Sequence, residues 1–489
     1  MKDSNSVFNT SFPMDNPSVR PLPSAEELKE ALAASEKSDT RQVLTALFDE
    51  NTFVELGVYM KKSFSEYAYT GETNDFEGVI CGYGAIDGQL VYAFAQDISR
   101  MNGAMDDTHA NKIVSLYKMA MRNAAPVVAV FNSAGADIYE GVSSLAAYGK
   151  VMRAVAEASG FIPQIAIVSG DCTGIASPLA ACFDFIVAVE GASFYVRSPE
   201  FSGTNEANET VAALVAKDGA AAAAEVRTLL SYIPANAEEG VRPGRCADSL
   251  NRLLGDQNFG QDLHNMLAVL ADNGIYKEIY PETAPSFMTA FTCIGGVRCA
   301  VCGNTVQDGT AMLSGMEARK AARFVSFCDA FSIPLITIVD TAGFAFCKKK
   351  ENTAFVLSLS SLAFAYAKSQ MPKISVIVGR AIGGAYTLLG SKALCADVAY
   401  ALADTEIGAL SADAAVAFAW NDRVTLDRSR ESLEEEWKAT LASPVAAACK
   451  GEIDDIITVS EMRQRICSAL LMLAAKGTVS KKRHSILPL

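Results

Sequence analysis

The sequence predicts an α/β protein built as two homologous domains in tandem, and three observations carry that reading. First, "PVVAVFNSAG" (126–135) matches "PLITIVDTAG" (334–343), and "IPQIAIVSGDCTGIAS" (162–177) matches "MPKISVIVGRAIGGAY" (371–386). Second, the offsets are 208 and 209 residues, so spacing inside each half is held to one residue, as duplication requires. Third, each half alternates strand-like and helix-like runs, a pattern of α/β folds rather than of sandwiches or bundles.

The elements follow in order. "YGAIDGQLVYAFAQD" (83–97) and "CIGGVRCAVCGN" (293–304) each read as strand, glycine-containing turn and strand. "HANKIVSLYKMAMRNAAP" (109–126) and "MEARKAARFVSFCDAFSIP" (316–334) read as amphipathic helices, with Lys112 opposite Lys320, and each leads into a proline-started strand. A helix, a second apolar strand, a glycine turn and a further helix complete each half. "SYIPANAEEGVRPGRCADSLNRLLG" (231–255), rich in Pro, Gly, Asn and charge, suits a linker. The expected organisation is therefore a disordered segment 1–23, a first domain 24–235 and a second domain 236–489.

The stretch "GRAIGGAYTLLGS" (379–391) leaves the strand-like run "ISVIV" through paired glycines, Gly383 and Gly384. Such a turn points unpartnered backbone N–H groups at whatever sits above the strand end. It is a candidate oxyanion site, and equally a place where glycine permits close packing. The spacing is neither the dinucleotide fingerprint nor a P-loop. Its counterpart "GDCTGIAS" keeps Gly170, Gly174 and Ala176 at matching positions, which favours two functional turns, one per domain. A preorganised donor at such a point contributes about 2.7 to 4 kcal/mol to an oxyanion-forming step.

Composition narrows the function classes. At 489 residues, half of them apolar, there is chain for a substantial core, yet no clean apolar run approaches the ~18 residues of a membrane span. The polar, proline-rich start lacks a signal-peptide core, so the expected location is the cytoplasm. A net charge of −14 argues against nucleic acid as a partner. The twelve cysteines are scattered apart from Cys293, Cys299 and Cys302, and Cys299 and Cys302 read as buried strand thiols rather than zinc ligands. No metal is expected. The three histidines, His109, His264 and His484, lie outside the turn motifs and are given surface or structural roles.

Taken together, "NSAGADIYEGVSSLAAYGKV", "SGFIPQIAIVSGDCTG", "AARFVSFCDAFSIPLITIVDTAGF", "MPKISVIVGRAIGGAYTLLGSK" and "KKRHSILPL" resemble the biotin-dependent carboxyltransferase family, notably acyl-CoA carboxylase β subunits and their decarboxylase relatives. The resemblance runs from about residue 40 to the C-terminus. It implies two crotonase-type (ClpP/crotonase) domains of ββα spiral units, acyl-CoA bound mainly on the first and biotin on the second. It implies that Gly174 and Ile175 donate N–H groups to the thioester oxygen, and Gly384 and Ala385 to the ureido oxygen of biotin. Gly135, Ala136, Ala176, Gly343, Phe344, Gly383, Tyr386 and Thr387 would be substrate-binding. An active site shared between the first domain of one copy and the second of another implies a homo-oligomer, dimer to hexamer. No biotinylation motif and no ATP-binding portion are present, so the implied partners are a biotin carboxyl carrier protein and either a biotin carboxylase or a membrane decarboxylase subunit.

The sequence departs from the family in places. The pattern D-S-G-G-A-R-I-Q-E-G stands here as Asn132-Ser133-Ala134-Gly135-Ala136-Asp137-Ile138-Tyr139-Glu140-Gly141, and the paired glycines of the first turn as Gly174-Ile175. A branched side chain at 175 argues for a smaller or reoriented acyl group. The usual V-P-G-F-x-P-G-T run is "TAGFAFCKKK", and a glycine-rich segment is replaced by "FVLSLSSLA" (355–363). Lys348, Lys349 and Lys350 suit either CoA phosphates or a solvated loop. Thr387 stands where relatives carry Asp or an apolar residue that influences acyl preference. The reading is a carboxyltransferase acting on a short acyl-CoA such as propionyl-CoA or methylmalonyl-CoA. Two alternatives stay open: the same chemistry run as decarboxylation in a sodium-pumping complex, and a catalytically impaired scaffold subunit.

Overall fold

Each half of the chain starts its sheet with an antiparallel hairpin whose turn is clamped by one carboxylate. In the computed structural model, which describes residues 24–34, 38–61, 76–197, 211–241, 246, 248–255, 262–305, 311–345, 353–476 and 486, this device occurs twice. Residues 1–38 form one unit by themselves, described here through helix α1 (Ala25–Ala34), whose start is a reciprocal cap between Ser24 and Glu27. The segment 1–23 lies outside the described residues.

The first half contains α2 (Asp39–Leu47), β1 (Val54–Leu56), β2 (Val79–Ile86), β3 (Gln89–Gln96), α3 (Asp107–Arg122), β4 (Val127–Ser133), α4 (Val142–Ala158), β5 (Gln164–Thr173), α5 (Ala176–Ala181), β6 (Phe185–Val189), β7 (Ser193–Tyr195), β8 (Leu214–Ala216) and α6 (Gly219–Tyr232). Its sheet runs β1-β2-β3-β4-β5-β6-β8, with β7 also on β5. The first three strands are antiparallel and the rest parallel. Asp87 and Gly88 both take positive φ in the β2–β3 turn, and their N–H groups donate to the Asp49 carboxylate at 3.1 and 3.0 Å.

The second half repeats the plan with α7 (Leu263–Leu270), β9 (Tyr276–Glu278), β10 (Phe287–Ile294), β11 (Val297–Asn304), α8 (Gly315–Ala330), β12 (Leu335–Thr341), α9 (Thr353–Lys368), β13 (Lys373–Ile382), α10 (Gly383–Leu388), β14 (Val398–Leu402), β15 (Glu406–Gly408), α11 (Ala412–Ala419), α12 (Arg430–Leu441), α13 (Pro444–Cys449), β16 (Asp455–Ile457) and α14 (Met462–Leu473). The sheet order β16-β14-β13-β12-β11-β10-β9, with β15 on β13, is the first sheet's path again. Here Asp272 clamps the Gly295-Gly296 turn, accepting both N–H groups at 2.8 Å. Helices α3 and α8 are each 16 residues long, and their buried lysines do the same work: Lys112 donates to Val79 O and Lys320 to Tyr280 O, both at 2.7 Å.

The central strands β4, β5, β12 and β13 are continuous apolar runs because helices cover both faces of a parallel sheet. The halves share one core. Phe185 of β6 stacks edge-on against Phe327 of α8 at 4.6 Å and against Phe291 of β10 at 6.1 Å. Arg323 donates to the carbonyls of Phe183 and Asp184 at 2.8 Å. From the far end of the chain, buried Ile486 donates its N–H to Ser159 Oγ at 3.0 Å, tying the C-terminus to the first half. The stretch read as a linker is packed rather than loose: Ile233, Ala235, Ala237 and Leu254 are buried, and Arg463 of α14 holds Ser249 O at 2.7 Å.

Cys299 and Cys302 are buried in β11, and burial pushes the Cys302 thiol up to about 11. His109 belongs wholly to the interior. Its ring sits 3.2 Å from Glu77 Oε1 and 3.4 Å from Gln96 Nε2, so of the two roles open to it the structural one applies. His264 is half exposed, and His484 lies outside the described residues.

Candidate active site

Two loops and two turns, one pair per half, build the site. The first loop leaves β4 through Ser133, whose Oγ accepts the Gly135 N–H at 3.1 Å and donates to Gly103 O at 2.6 Å. Gly135 takes φ 106°, which only glycine tolerates readily, and Ala136 then bridges to Met105. The second loop leaves β12 in the same way. Thr341 Oγ1 accepts the Gly343 N–H at 3.3 Å, Gly343 takes φ 128°, and Phe344 bridges to Leu313. Hydroxyl, glycine and bridge thus recur at one offset, with Ala136 and Phe344 as counterparts.

The turns are reached from β5 and β13. Each strand bends away beside a side chain from its neighbour: Asn132 Oδ1 accepts the Asp171 N–H at 3.2 Å, and Asp340 Oδ1 accepts the Arg380 N–H at 2.9 Å. This explains Gly170 and Gly379. A Cβ there would stand 2.4 Å from Asn132 Oδ1 or 2.6 Å from the Asp340 carboxyl carbon. Beyond them Gly174 and Gly383 adopt φ 61° and 64°, turning each chain into a short helix.

The N–H groups at these turns are not all available. Gly174 donates to Tyr195 O at 2.9 Å, and Ser177 Oγ donates to the same carbonyl at 2.7 Å. The Gly174 N–H, one of the two implied thioester donors, is therefore engaged with β7. At the first turn the N–H groups of Ile175 and Ala176 have no acceptor among the described residues; at the second, those of Gly384 and Ala385 have none. Ile175 and Ala176 are the counterparts of Gly384 and Ala385 at the 209-residue offset. The sequence reading pairs Gly174 with Ile175, whereas the free N–H groups of the first turn are those of Ile175 and Ala176.

The side chains over the turns differ. Phe344 lies over Gly384, and Tyr386 is half buried behind it, its phenol pushed up to about 12 by burial and so protonated at neutral pH. Thr387 is exposed on α10. Asp137, which stands where the family pattern carries Arg, is buried and accepts the Tyr139 N–H at 3.0 Å, capping a short turn. "FVLSLSSLA" lies within α9, burying Ser358 and Leu362 while Val356, Leu357 and Phe364 of that helix face out. On α4 and the turn before it, Ile138, Val142 and Leu145 are likewise exposed. Lys348, Lys349 and Lys350 lie outside the described residues.

At the root of the first loop sits a buried acidic pair beside His109. Burial and the neighbouring Glu77 raise Asp106 to about 6, while at Glu77 burial is outweighed by the hydrogen bond and charge of His109, which hold its carboxyl below the usual range. Asp106 caps α3 through the His109 N–H at 2.8 Å. Sequence reasoning missed this cluster because Glu77, Gln96, Asp106 and His109 come from three elements. Among the described residues no group of three His, Cys, Asp or Glu converges on a metal position, and no helix is long and apolar enough to cross a membrane.

Comparison with known proteins agrees with this architecture. A model of the carboxyl transferase domain matches residues 35–203 and 202–487. The methylmalonyl-CoA decarboxylase subunit alpha of Veillonella parvula is 33% identical over 95% of this chain and 96% of its own. The propionyl-CoA carboxylase beta chain of Cereibacter sphaeroides is 32% identical, covering 93% of this chain and 94% of its own. A crystal structure of transcarboxylase 12S, a hexamer holding methylmalonyl-coenzyme A and methylmalonic acid, superposes with a TM-score of 0.86 at 30% identity, covering 95% of both chains. The chain belongs to the carboxyl transferase family.

Proposed function

We propose that the two turns are paired oxyanion sites, the first for the thioester oxygen of a short acyl-CoA and the second for the ureido oxygen of biotin. The chain is a biotin-dependent acyl-CoA carboxyltransferase of the propionyl-CoA carboxylase, methylmalonyl-CoA decarboxylase and transcarboxylase type. The observation that carries the finer reading is the matched pair of unpartnered N–H groups, Ile175 with Ala176 and Gly384 with Ala385.

Residues at the second turn suit biotin: the Gly384 and Ala385 N–H groups have no acceptor among the described residues, and the Phe344 ring packed on Gly384 offers an apolar face beside them. When presented by a separate carrier protein, biotin supplies the carboxyl group held on its ureido nitrogen. The chain's own residues stabilise charge and orient. At the first turn the Ile175 and Ala176 N–H groups meet the negative charge that builds on the thioester oxygen as the α-carbon becomes nucleophilic. At the second, Gly384 and Ala385 do the same for the ureido oxygen. No nucleophilic side chain is called for, since proximity and oxyanion stabilisation supply the catalysis. The same constellation serves carboxylation and decarboxylation.

Self-association belongs to this reading. The exposed apolar residues of α4 (Val142, Leu145) and α9 (Val356, Leu357, Phe364) stand on counterpart helices, one beside each site loop. A second copy that laid its α9 face near α4 would bring a Gly384 turn to an Ile175 turn, giving a dimer or a larger ring of dimers with shared sites.

The test uses purified protein, free biotin, and malonyl-CoA or methylmalonyl-CoA, with avidin-sensitive decarboxylation as readout. Gly384→Pro removes one donor and should lower turnover about 100-fold or more with acyl-CoA affinity retained. Ile175→Pro should instead impair the acyl-CoA side. Wild-type turnover by both variants at native oligomer mass refutes the paired-site assignment.

A further inference from the structure

We propose that Ile175 selects the acyl group, its side chain filling at the first turn the room that Phe344 fills at the second. This rests on the reading of the first turn as the thioester site. Positions 175 and 384 are counterparts, as are 136 and 344. A Cβ built on Gly384 meets the Phe344 ring at 2.9 Å (Cε2) and 3.1 Å (Cζ), so a side chain at this turn position is directed into the space over the loop residue. The first turn has the opposite distribution, with Ile175 on the turn and only the methyl group of Ala136 on the loop. Each turn therefore carries one large apolar group, supplied from different sides.

The consequence for substrate follows from bonding. Ile175 N–H is a donor to the thioester oxygen, and its Cβ is two bonds from that nitrogen, so the branched carbons stand beside the bound carbonyl. Branching at Cβ leaves few χ1 choices, so the group does not swing clear. Ile175 sits at φ −73°, ψ −14° and is half buried against the core, which holds it in place. The α-carbon of the thioester is the atom nearest the carbonyl, and an α-methyl group adds bulk there. The first site accordingly takes the thioesters that lack an α-methyl group, acetyl-CoA and malonyl-CoA, in preference to their α-methyl counterparts, propionyl-CoA and methylmalonyl-CoA.

The experiment compares kcat/KM for malonyl-CoA and methylmalonyl-CoA with free biotin, and measures binding of both thioesters by calorimetry. Wild type should favour malonyl-CoA. Ile175→Gly should move the ratio toward methylmalonyl-CoA by about tenfold or more, the discrimination that a few carbons make in an apolar pocket. Ile175→Ala, which keeps a Cβ and ordinary turn geometry, should fall between and serves if the glycine variant folds poorly. An unchanged ratio in active variants that bind both thioesters overturns the selectivity while leaving the site assignment standing. If wild type neither binds nor turns over either thioester, the site assignment falls and the selectivity with it.

Discussion

The ring of Phe344 stands over Gly384 so closely that a single added carbon would touch it, at 2.9 Å from Cε2. The ring is also edge-on to Phe355 of α9 at 6.2 Å, which limits where it can retreat. Glycine at 384 is therefore a requirement of the roof and not of the backbone, since φ there is ordinary while Gly383 carries the positive φ. Gly384→Ala should fold normally yet lower biotin-dependent transfer by about 10- to 100-fold, because displacement of about 1 Å in a reacting geometry costs that much. Phe344→Ala in the same chain should recover part of the loss. Steady-state turnover of the single and double variants decides it, and strictly additive losses would count against the contact.

A second crowding relationship predicts stability rather than activity. The carboxyl carbon of Asp340, itself buried, lies 2.6 Å from where a Cβ on Gly379 would be, between the central strands β12 and β13. Gly379→Ala should destabilise by about 1 to 3 kcal/mol through overpacking. Chemical denaturation read by tryptophan fluorescence measures it, and Asp340→Ala should make the same glycine substitution far less costly.

Arg463 is the largest fully buried side chain among the described residues and joins its helix to two other chain segments. It donates to Asp272 Oδ1 at 2.6 Å, to Leu270 O at 3.2 Å and to Ser249 O at 2.7 Å, and lies 3.3 Å from Asp248. Asp272 in turn clamps the Gly295-Gly296 turn. Arg463→Ala should cost about 3 to 5 kcal/mol, since it strands a buried carboxylate. Arg463→Met should cost less than Ala by keeping the volume. Equal losses for the two would mean that charge pairing, not packing, is at issue.

Asp184 predicts a pH dependence. It is buried between the halves, accepting the Gln164 N–H at 2.8 Å, and burial raises its carboxyl from 3.8 to about 7 against the lowering effects of that hydrogen bond and Arg323. A raised folded pKa binds protons that the unfolded chain has released, so this stability is full below about pH 4 and is lost as pH rises through about 7. Asp184→Asn should remove that slope. Denaturation midpoints of both proteins between pH 4 and pH 8 check it; parallel curves would exclude Asp184 as the source.

The exposed apolar residues of α4 and α9 predict that charge there disrupts assembly. Val142→Glu or Phe364→Glu should lower the mass seen by light scattering without loss of helical circular dichroism. An unchanged mass for both would place the interface elsewhere.

Much of this was legible in the chain itself. Duplicated segments reveal themselves at one offset, strands buried on both faces must be continuously apolar, and a strand that turns sharply into a helix needs glycine at the bend. Those are local demands, and β4, β5, β12, β13, Gly174 and Gly383 answer them within a few residues. The family followed from the same motifs.

What only the tertiary structure decided are relations between distant residues that no local pattern encodes. Gly174 gives its N–H to Tyr195 on β7, which leaves Ile175 and Ala176 as the residues of the first turn whose N–H groups have no acceptor among the described residues. Gly170 and Gly379 are small because Asn132 and Asp340 reach across from the neighbouring strand. His109 is drawn inside by Glu77 and Gln96, and Phe344 roofs Gly384 from another loop. In each case a hydrogen bond or a van der Waals limit acts between groups brought together by sheet register, and register is a property of the folded chain.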